Sequence, residues 1–294
     1  HHRPNEKSED PSDEVKTIMT RHNKQKAHND VNGSPVRRSG GPRPARRLGY
    51  SGPSTSEIPT EDQLSDVVTV GTWNVRTLLQ AGKLELLQRE LDRLRYDVVG
   101  LAEVRWPGSG QMAQGRFLYT GEQNGGEKGV AFFLSVRAKR ALIEWLPISS
   151  RVIVARFKGR KNNLSVLQAY APTADSSDED LEEFYDQVEE GLTKMPNRDM
   201  CVVTGDWNAK IGNNNAGWEH VMVQFGIGER NERGERLLQF TQEKGLYICN
   251  TKYPSKPSRK WTWTSPNGRN KNMIDYVMVK QQWQKRIQQC RSFP

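Results

Sequence analysis

Hydrophobic and polar residues change period repeatedly after residue 66. Residues 67–73 alternate apolar and polar as a strand does, and Leu84, Leu87, Leu91 and Leu94 then recur at helical spacing. Residues 97–104 predict a second strand, and the apolar runs at 129–135 (GVAFFLS), 151–158 (RVIVARFK) and 164–170 (LSVLQAY) predict further ones. Ser177 with Asp180 reads as a capping box that opens an acidic helix carrying Leu181, Phe184, Tyr185, Val188 and Leu192. Residues 200–204 predict a buried strand. Residues 232–244 predict a helix that stops at Gly245, a residue suited to the left-handed backbone after a helix end, and residues 246–250 another strand. Residues 261–264 and 272–280 flank Pro266-Asn267-Gly268, where Asn-Gly accepts the positive φ of a tight hairpin turn. Strands outnumber helices and several follow one another directly. This predicts an α/β fold in which a two-sheet β-sandwich is flanked by helices, rather than a doubly wound parallel sheet.

The first 60 residues have another texture. They hold 11 Lys or Arg against 7 Asp or Glu, with no Trp, no Phe and no sustained apolar period. Such a stretch buries too little surface to offset its ordering entropy, so residues 1–65 are expected to be a disordered basic tail and residues 66–294 one domain. Within the tail, residues 35–47 (PVRRSGGPRPARR) carry five arginines. That segment suits nuclear import or a nucleic-acid tether on one reading and a solubilising linker on the other. The localisation expected is nuclear, with the cytoplasm as the alternative. No apolar run is long enough to span a bilayer, and the polar start of the chain has no secretory core segment. Three widely spaced cysteines argue against a disulfide framework and against a zinc site.

Several polar residues stand where apolar strands stop: Asn74, Glu103, Asp206 and Asn208, with Asp275 interrupting an apolar run. Strand ends at one edge of a sheet can share a cleft, and hard oxygen ligands gathered there suit Mg²⁺. Each residue alone has an ordinary explanation as a turn former or a solvated strand end. Asp275 resists that explanation, because Met273, Ile274, Tyr276 and Val277 surround it in sequence and a buried carboxylate needs a partner.

Together the motifs Thr72-Trp73-Asn74-Val75-Arg76, Leu101-Ala102-Glu103-Val104, Gln168-Ala169-Tyr170-Ala171-Pro172, Gly205-Asp206-Trp207-Asn208-Ala209 and Ile274-Asp275-Tyr276 resemble the endonuclease/exonuclease/phosphatase superfamily. Deoxyribonuclease I and the abasic-site endonucleases share its fold. Residues 230–236 and 261–265 look most like endonuclease domains of LINE-type retrotransposons of the RTE/BovB group. The resemblance covers residues 67–294 and implies the deoxyribonuclease I-like four-layer fold and Mg²⁺-dependent phosphodiester hydrolysis on DNA, with Mn²⁺ as the alternative ion. It implies that Glu103, Asn74 and Asp206 hold the metal and that Asp206 also orients or deprotonates the attacking water. Asn208 would bond that water and the transition-state oxygens, Tyr170 would contact the phosphate or leaving group, Thr262 would support the phosphate side, and Asp275 would orient a histidine.

The family pattern ends with a Ser-Asp-His signature and a last strand, whereas this chain ends at Cys290-Arg291-Ser292-Phe293-Pro294. The resemblance therefore implies weakened catalysis, a missing last strand and an unpaired sheet edge that a protein partner could cover. His220 is the one histidine after residue 28, and its Asn/Gly-rich surroundings suit a surface loop.

DNA is the expected partner, bound by a monomer. Residues 252–274 hold six basic residues and no acid, interleaved with Tyr253, Trp261 and Trp263. A hairpin tipped by Asn267, Arg269 and Lys271, with Lys260, Trp263 and, from the first motif, Arg76 beside it, would contact phosphates and a DNA groove. The bland reading is a solvated hairpin. Two competing functions remain open: a phosphomonoesterase of the same superfamily, and a DNA- or chromatin-binding protein without catalysis.

Overall fold

The computed structural model describes residues 14–20, 62–265 and 267–293, the first segment through its backbone. In chain order the elements begin with strand β1 (Glu14–Thr20), strand β2 (Val67–Asn74), helix α1 (Lys83–Asp92) and strand β3 (Val98–Ala102). Strands β4 (Ser109–Met112), β5 (Phe117–Thr120) and β6 (Val130–Leu134) follow, then helix α2 (Val136–Ala141) and strands β7 (Leu142–Pro147), β8 (Val152–Phe157) and β9 (Leu164–Tyr170). Helix α3 (Asp178–Thr193), strand β10 (Met200–Asp206), helix α4 (Glu232–Glu243) and strand β11 (Leu246–Ile248) come next. A two-stranded hairpin, β12 (Trp263–Thr264) and β13 (Lys271–Asn272), precedes β14 (Asp275–Lys280) and β15 (Ile287–Phe293).

These strands form a seven-stranded sheet in the order β15-β1-β2-β3-β6-β5-β4 and a six-stranded sheet in the order β11-β14-β10-β9-β8-β7. The first is parallel from β15 to β3 and antiparallel beyond. The second is antiparallel except where β10 meets β9. Alternation along each strand sends one set of side chains between the sheets and the other outward. Val68, Val70, Val98 and Phe132 of the first sheet thus pack with Val166, Val202 and Val277 of the second. On the outer faces Val99 and Leu101 meet Leu87 and Leu91 of α1, and Leu167 and Val203 meet Phe184 and Val188 of α3 and Leu238 of α4. The result is the expected sandwich flanked by helices. Burying each such side chain contributes roughly 1.5–3 kcal/mol, which is why strands apolar on both faces sit at the centre.

One polar contact locks the sheets together below the strand ends. Gln168 is fully buried on β9, and its Oε1 accepts hydrogen bonds from Thr72 Oγ1 at 3.2 Å and Thr204 Oγ1 at 2.6 Å. Gly100 on β3 leaves room for it, since a Cβ there would lie 1.9 Å from Gln168 Oε1.

Ser177 caps α3 by accepting from the Asp180 amide, and Gly245 follows α4 with φ of 60°, both as the periodicity predicts. The hairpin forms at the expected place, with positive φ at Gly268 (73°) and not at Asn267. Ser265 N donates to Asn270 O. Asn267 instead accepts from the Arg269 amide through its side chain, a role open to Asn without left-handed backbone.

The N-terminal expectation needs a correction. Residues 14–20, assigned to a disordered tail, form β1, paired on both edges within the sheet. Ladder hydrogen bonding supplies order that a count of apolar residues and charges does not register. The edge of β2 is covered by β1, not left open. The arginine-rich residues 35–47 lie outside the described residues. No helix among the described residues is long and apolar enough to cross a membrane.

Candidate active site

The strand directions gather the candidate residues at one edge of the sandwich. Parallel β2 and β3 end together, with Asn74 opposite Ala102 and Glu103 one residue further on. Parallel β9 and β10 also end together, with Tyr170 opposite Asp206. Antiparallel β14 starts there, placing Asp275 opposite Asp206. Left-handed backbone at Arg76 (φ 53°), Glu103 (57°), Arg105 (64°) and Asn208 (47°) turns the chain immediately after these ends. Non-glycine residues adopt that conformation uncommonly, and it recurs where function requires a constrained geometry.

Asn74 is the central contact. It is buried, and its Nδ2 donates to Glu103 Oε1 at 2.7 Å and to Asp206 Oδ2 at 2.8 Å. Its Oδ1 accepts from the Arg76 amide at 3.0 Å, which fixes the orientation of the amide group. Asp206 Oδ1 accepts from the Asn208 amide, and Glu103 Oε2 from Arg105 Nη2 at 3.1 Å.

Three carboxylates thus share this edge, Asp206 and Asp275 buried and Glu103 half-buried. Burial is the largest influence on Asp206, and with the nearby Glu103 charge it pushes the carboxyl up to about 6 against the pull of Asn74 and Asn208. Burial, then the charge of Asp206, holds Asp275 well above the usual carboxylate range. Neither Asp275 carboxylate oxygen has a donor in full hydrogen-bonding geometry among the described residues, and only the Thr262 hydroxyl beside it favours its ionisation. Tyr170 is likewise raised, first by burial and then by Glu103 and Asp206.

The remaining predicted residues serve the frame. Thr262 Oγ1 accepts from the amides of Ile274 and Asp275 and so secures the start of β14. Asn208 Nδ2 donates to Ala171 O at 2.9 Å. Arg76, Asn267, Arg269 and Lys271 are exposed, while Lys260 and Trp263 are half-buried. Lys271 Nζ lies 4.6 Å from the Trp261 ring centroid and Lys260 Nζ 5.6 Å from that of Phe225. Because Thr262 N donates to Asn272 O, the basic hairpin rises directly from the base of β14 beside Asp275.

Motif reading gave no role to three residues near this edge. Arg105 bonds Glu103, and Arg151 stacks its guanidinium 5.3 Å from the Tyr170 ring centroid while donating to Tyr170 O. Gln168, inside a motif, supports the sheets two residues before Tyr170, the spacing that keeps side chains on one face of a strand. Arg105, in the turn after β3, and Arg151 have no such sequence signal.

No three or more His, Cys, Asp or Glu side chains are grouped to hold a metal among the described residues. Two carboxylate oxygens nevertheless converge on one point, the Asn74 amide nitrogen. Glu103 and Asp206 are hard oxygen donors of the kind that divalent cations take one or two at a time, completing the shell with water and phosphate.

Known proteins agree with this architecture. Residues 71–293 match the model of the Endonuclease/Exonuclease/phosphatase family. Craniofacial development protein 2 of Bos taurus is 35% identical over 227 residues, which are 76% of this chain and 38% of that protein. The protein of the same name from Tragulus javanicus is also 35% identical, with 39% of its length covered, so this chain spans about two fifths of the curated relatives it matches. A solved 3′ phosphatase NExo from Neisseria, bound to product DNA hairpin, is 18% identical with a TM-score of 0.50, covering 72% of this chain and 86% of that one. The matched span contains the Asn74, Glu103, Asp206 and Asp275 cluster, and the chain belongs to the endonuclease/exonuclease/phosphatase family.

Proposed function

We propose that this chain is a retroelement-derived, Mg²⁺-dependent endonuclease domain that nicks DNA. The observation that carries the reading is Asn74 holding Glu103 and Asp206 through one nitrogen, at 2.7 and 2.8 Å, on the edge from which the basic hairpin rises. Enzymes of this family generally use divalent metal ions. When bound, the ion would neutralise charge developing on the phosphate oxygens, and Glu103 and Asp206, gathered by Asn74, would hold it. Asp206, with its raised proton affinity, would orient the attacking water and accept its proton. Tyr170, pinned by Arg151, would donate to a phosphate or leaving-group oxygen and Asn208 would assist from the neighbouring turn. Arg269, Lys271, Lys260, Trp263, Asn267 and Arg76 would hold the DNA.

Asp275 presents a buried carboxylate opposite Asp206. The resemblance gives this carboxylate an imidazole to orient, and a phosphate-binding or acid/base group of that kind contributes roughly two to four orders of magnitude in rate. The basic hairpin beside Asp275 also supports a second reading, a DNA- or chromatin-binding protein that retains the fold.

Supercoiled plasmid incubated with Mg²⁺ separates the two. Nicking that disappears in both Glu103→Gln and Asp206→Asn supports the endonuclease. Nicking that survives in both excludes this site, and plasmid binding without nicking supports the binding protein.

A further inference from the structure

The end of the sandwich opposite the candidate site carries a different chemistry. β2 starts there at Val67, β3 at Val98 and β9 at Leu164, while antiparallel β6 and β8 finish there at Leu134 and Phe157. At about 3.3 Å per residue, the length of β2 puts that end roughly 23 Å from Asn74. Arg95, Arg137, Lys139, Arg140, Lys158 and Arg160 are all exposed on it.

Hydrogen bonds tie these cations into one surface. Asp97, just before β3, accepts from Arg137 Nη2 at 2.6 Å and from the Thr69 amide at 2.9 Å, and its carbonyl takes the Ser135 amide ahead of α2. Lys158 N donates to Ala141 O at the end of α2, and Lys158 O accepts from Leu64 N. Arg160 Nη1 donates to Asp66 Oδ2 at 2.8 Å. The carboxylates bonded into this framework are each taken by an arginine: Asp97 by Arg137, Asp66 by Arg160 and Asp199 by Arg156. Arg95, Lys139, Arg140 and Lys158 make no ion pair with a described residue. Like charges held together repel, and a row of phosphates relieves that repulsion while releasing its own counterions. The exposed large apolar residues beside them are the β-branched Val67, Val136 and Ile143. A face that seats itself in a membrane interface relies instead on Trp, Phe and Leu.

We propose that this end of the sandwich is a second nucleic-acid surface, on which Arg95, Lys139, Arg140 and Lys158 hold the phosphate backbone of a segment other than the one at the catalytic edge, without reading its sequence. Such a surface would serve a nicking enzyme and a binding protein alike.

Lysine acetylation of the full chain in EDTA, read by mass spectrometry, tests this without nuclease activity. Saturating duplex DNA or duplex RNA of about 24 base pairs should slow acetylation of Lys139 and Lys158 about fivefold or more at low salt, and about 0.5 M salt should abolish the protection. Full reactivity of both lysines with either duplex overturns the proposal, as does protection by phosphatidylserine vesicles alone. Lys271 reports on the hairpin in the same sample, so failure of DNA binding at the catalytic edge is read separately. Combining Lys139→Glu, Arg140→Glu and Lys158→Glu reverses exposed charges only. Bead-bound duplex should capture a labelled second duplex through the wild-type chain and about tenfold less through this variant, with far-ultraviolet circular dichroism unchanged. Equal capture by the two proteins, or none by the wild type, overturns the second surface.

Discussion

Asp206 and Asp275 stand opposite each other in the antiparallel register of β10 and β14, and of the two only Asp206 has donors in full hydrogen-bonding geometry on its carboxylate. Directly opposed like charges destabilise a sheet, and in a dry interior each resists ionisation of the other. Asp206 receives two donors and is pushed up to about 6, while Asp275, eased only by the Thr262 hydroxyl, is held well above the usual carboxylate range. The folded chain therefore binds these protons more tightly than the unfolded chain.

A pH-dependent stability follows with a definite sign. Groups whose folded pKa is raised contribute stability that is full below the unfolded carboxylate range and is lost as pH rises through the folded values. For Asp206 that loss runs from about pH 4 to about 6, and for Asp275 it extends higher. Asp275→Asn should stabilise the metal-free protein at pH 7–8 by about 1–4 kcal/mol, because an unpaired buried carboxylate disappears. The gain should shrink toward pH 4. Urea denaturation across that range checks it, and a gain independent of pH would count against the origin given.

Asn74→Ala removes the donor that gathers Glu103 and Asp206. Loss of a group that orients ligands lowers metal affinity or activity by about 10–100-fold. Plasmid nicking measured against Mg²⁺ concentration should show a higher half-saturation, a lower plateau, or both, with the far-ultraviolet circular dichroism unchanged.

The junction between the sheets predicts a coupled pair. Gly100→Ala drives a methyl into Gln168 Oε1, which Thr72 and Thr204 hold in place. Overpacking of this kind costs about 1–3 kcal/mol. Gln168→Ala alone should also destabilise, by removing the acceptor that Thr72 and Thr204 share, but the double substitution should be less destabilising than the sum of the two singles. Additive chemical-denaturation energies would place the clash elsewhere.

For the hairpin, the measurement is salt. Removing one cation from a DNA phosphate lowers the slope of log affinity against log salt by about 0.9, so Arg269→Ala with Lys271→Ala should flatten it by roughly twice that amount. An unchanged slope removes the hairpin from the DNA face.

Local pattern carried much of this fold. The strand over Leu164–Tyr170 has the predicted bounds, and the caps at Ser177 and Gly245 stand where the residue types put them. The signals were weak where strands are short, polar or dependent on distant partners. β4 (SGQM) offers no alternation to detect, and β7 leaves its apolar residues half-exposed at a sheet edge. Motif resemblance named Asn74, Glu103, Asp206 and Asp275 without showing how they touch. It could not find Arg151, which reaches Tyr170 from a different loop.

By itself the sequence determined the central strands and the longer helices, because periodicity and capping are properties of neighbours along the chain. It also determined the residue types available for chemistry. Only the tertiary structure decided that one Asn74 nitrogen lies between two carboxylates, that Asp275 faces Asp206, and that Glu14–Thr20 enters the sheet between β2 and β15. Those outcomes depend on strand order and register across long stretches of chain, and hydrogen bonding between backbones leaves little trace in the identity of side chains.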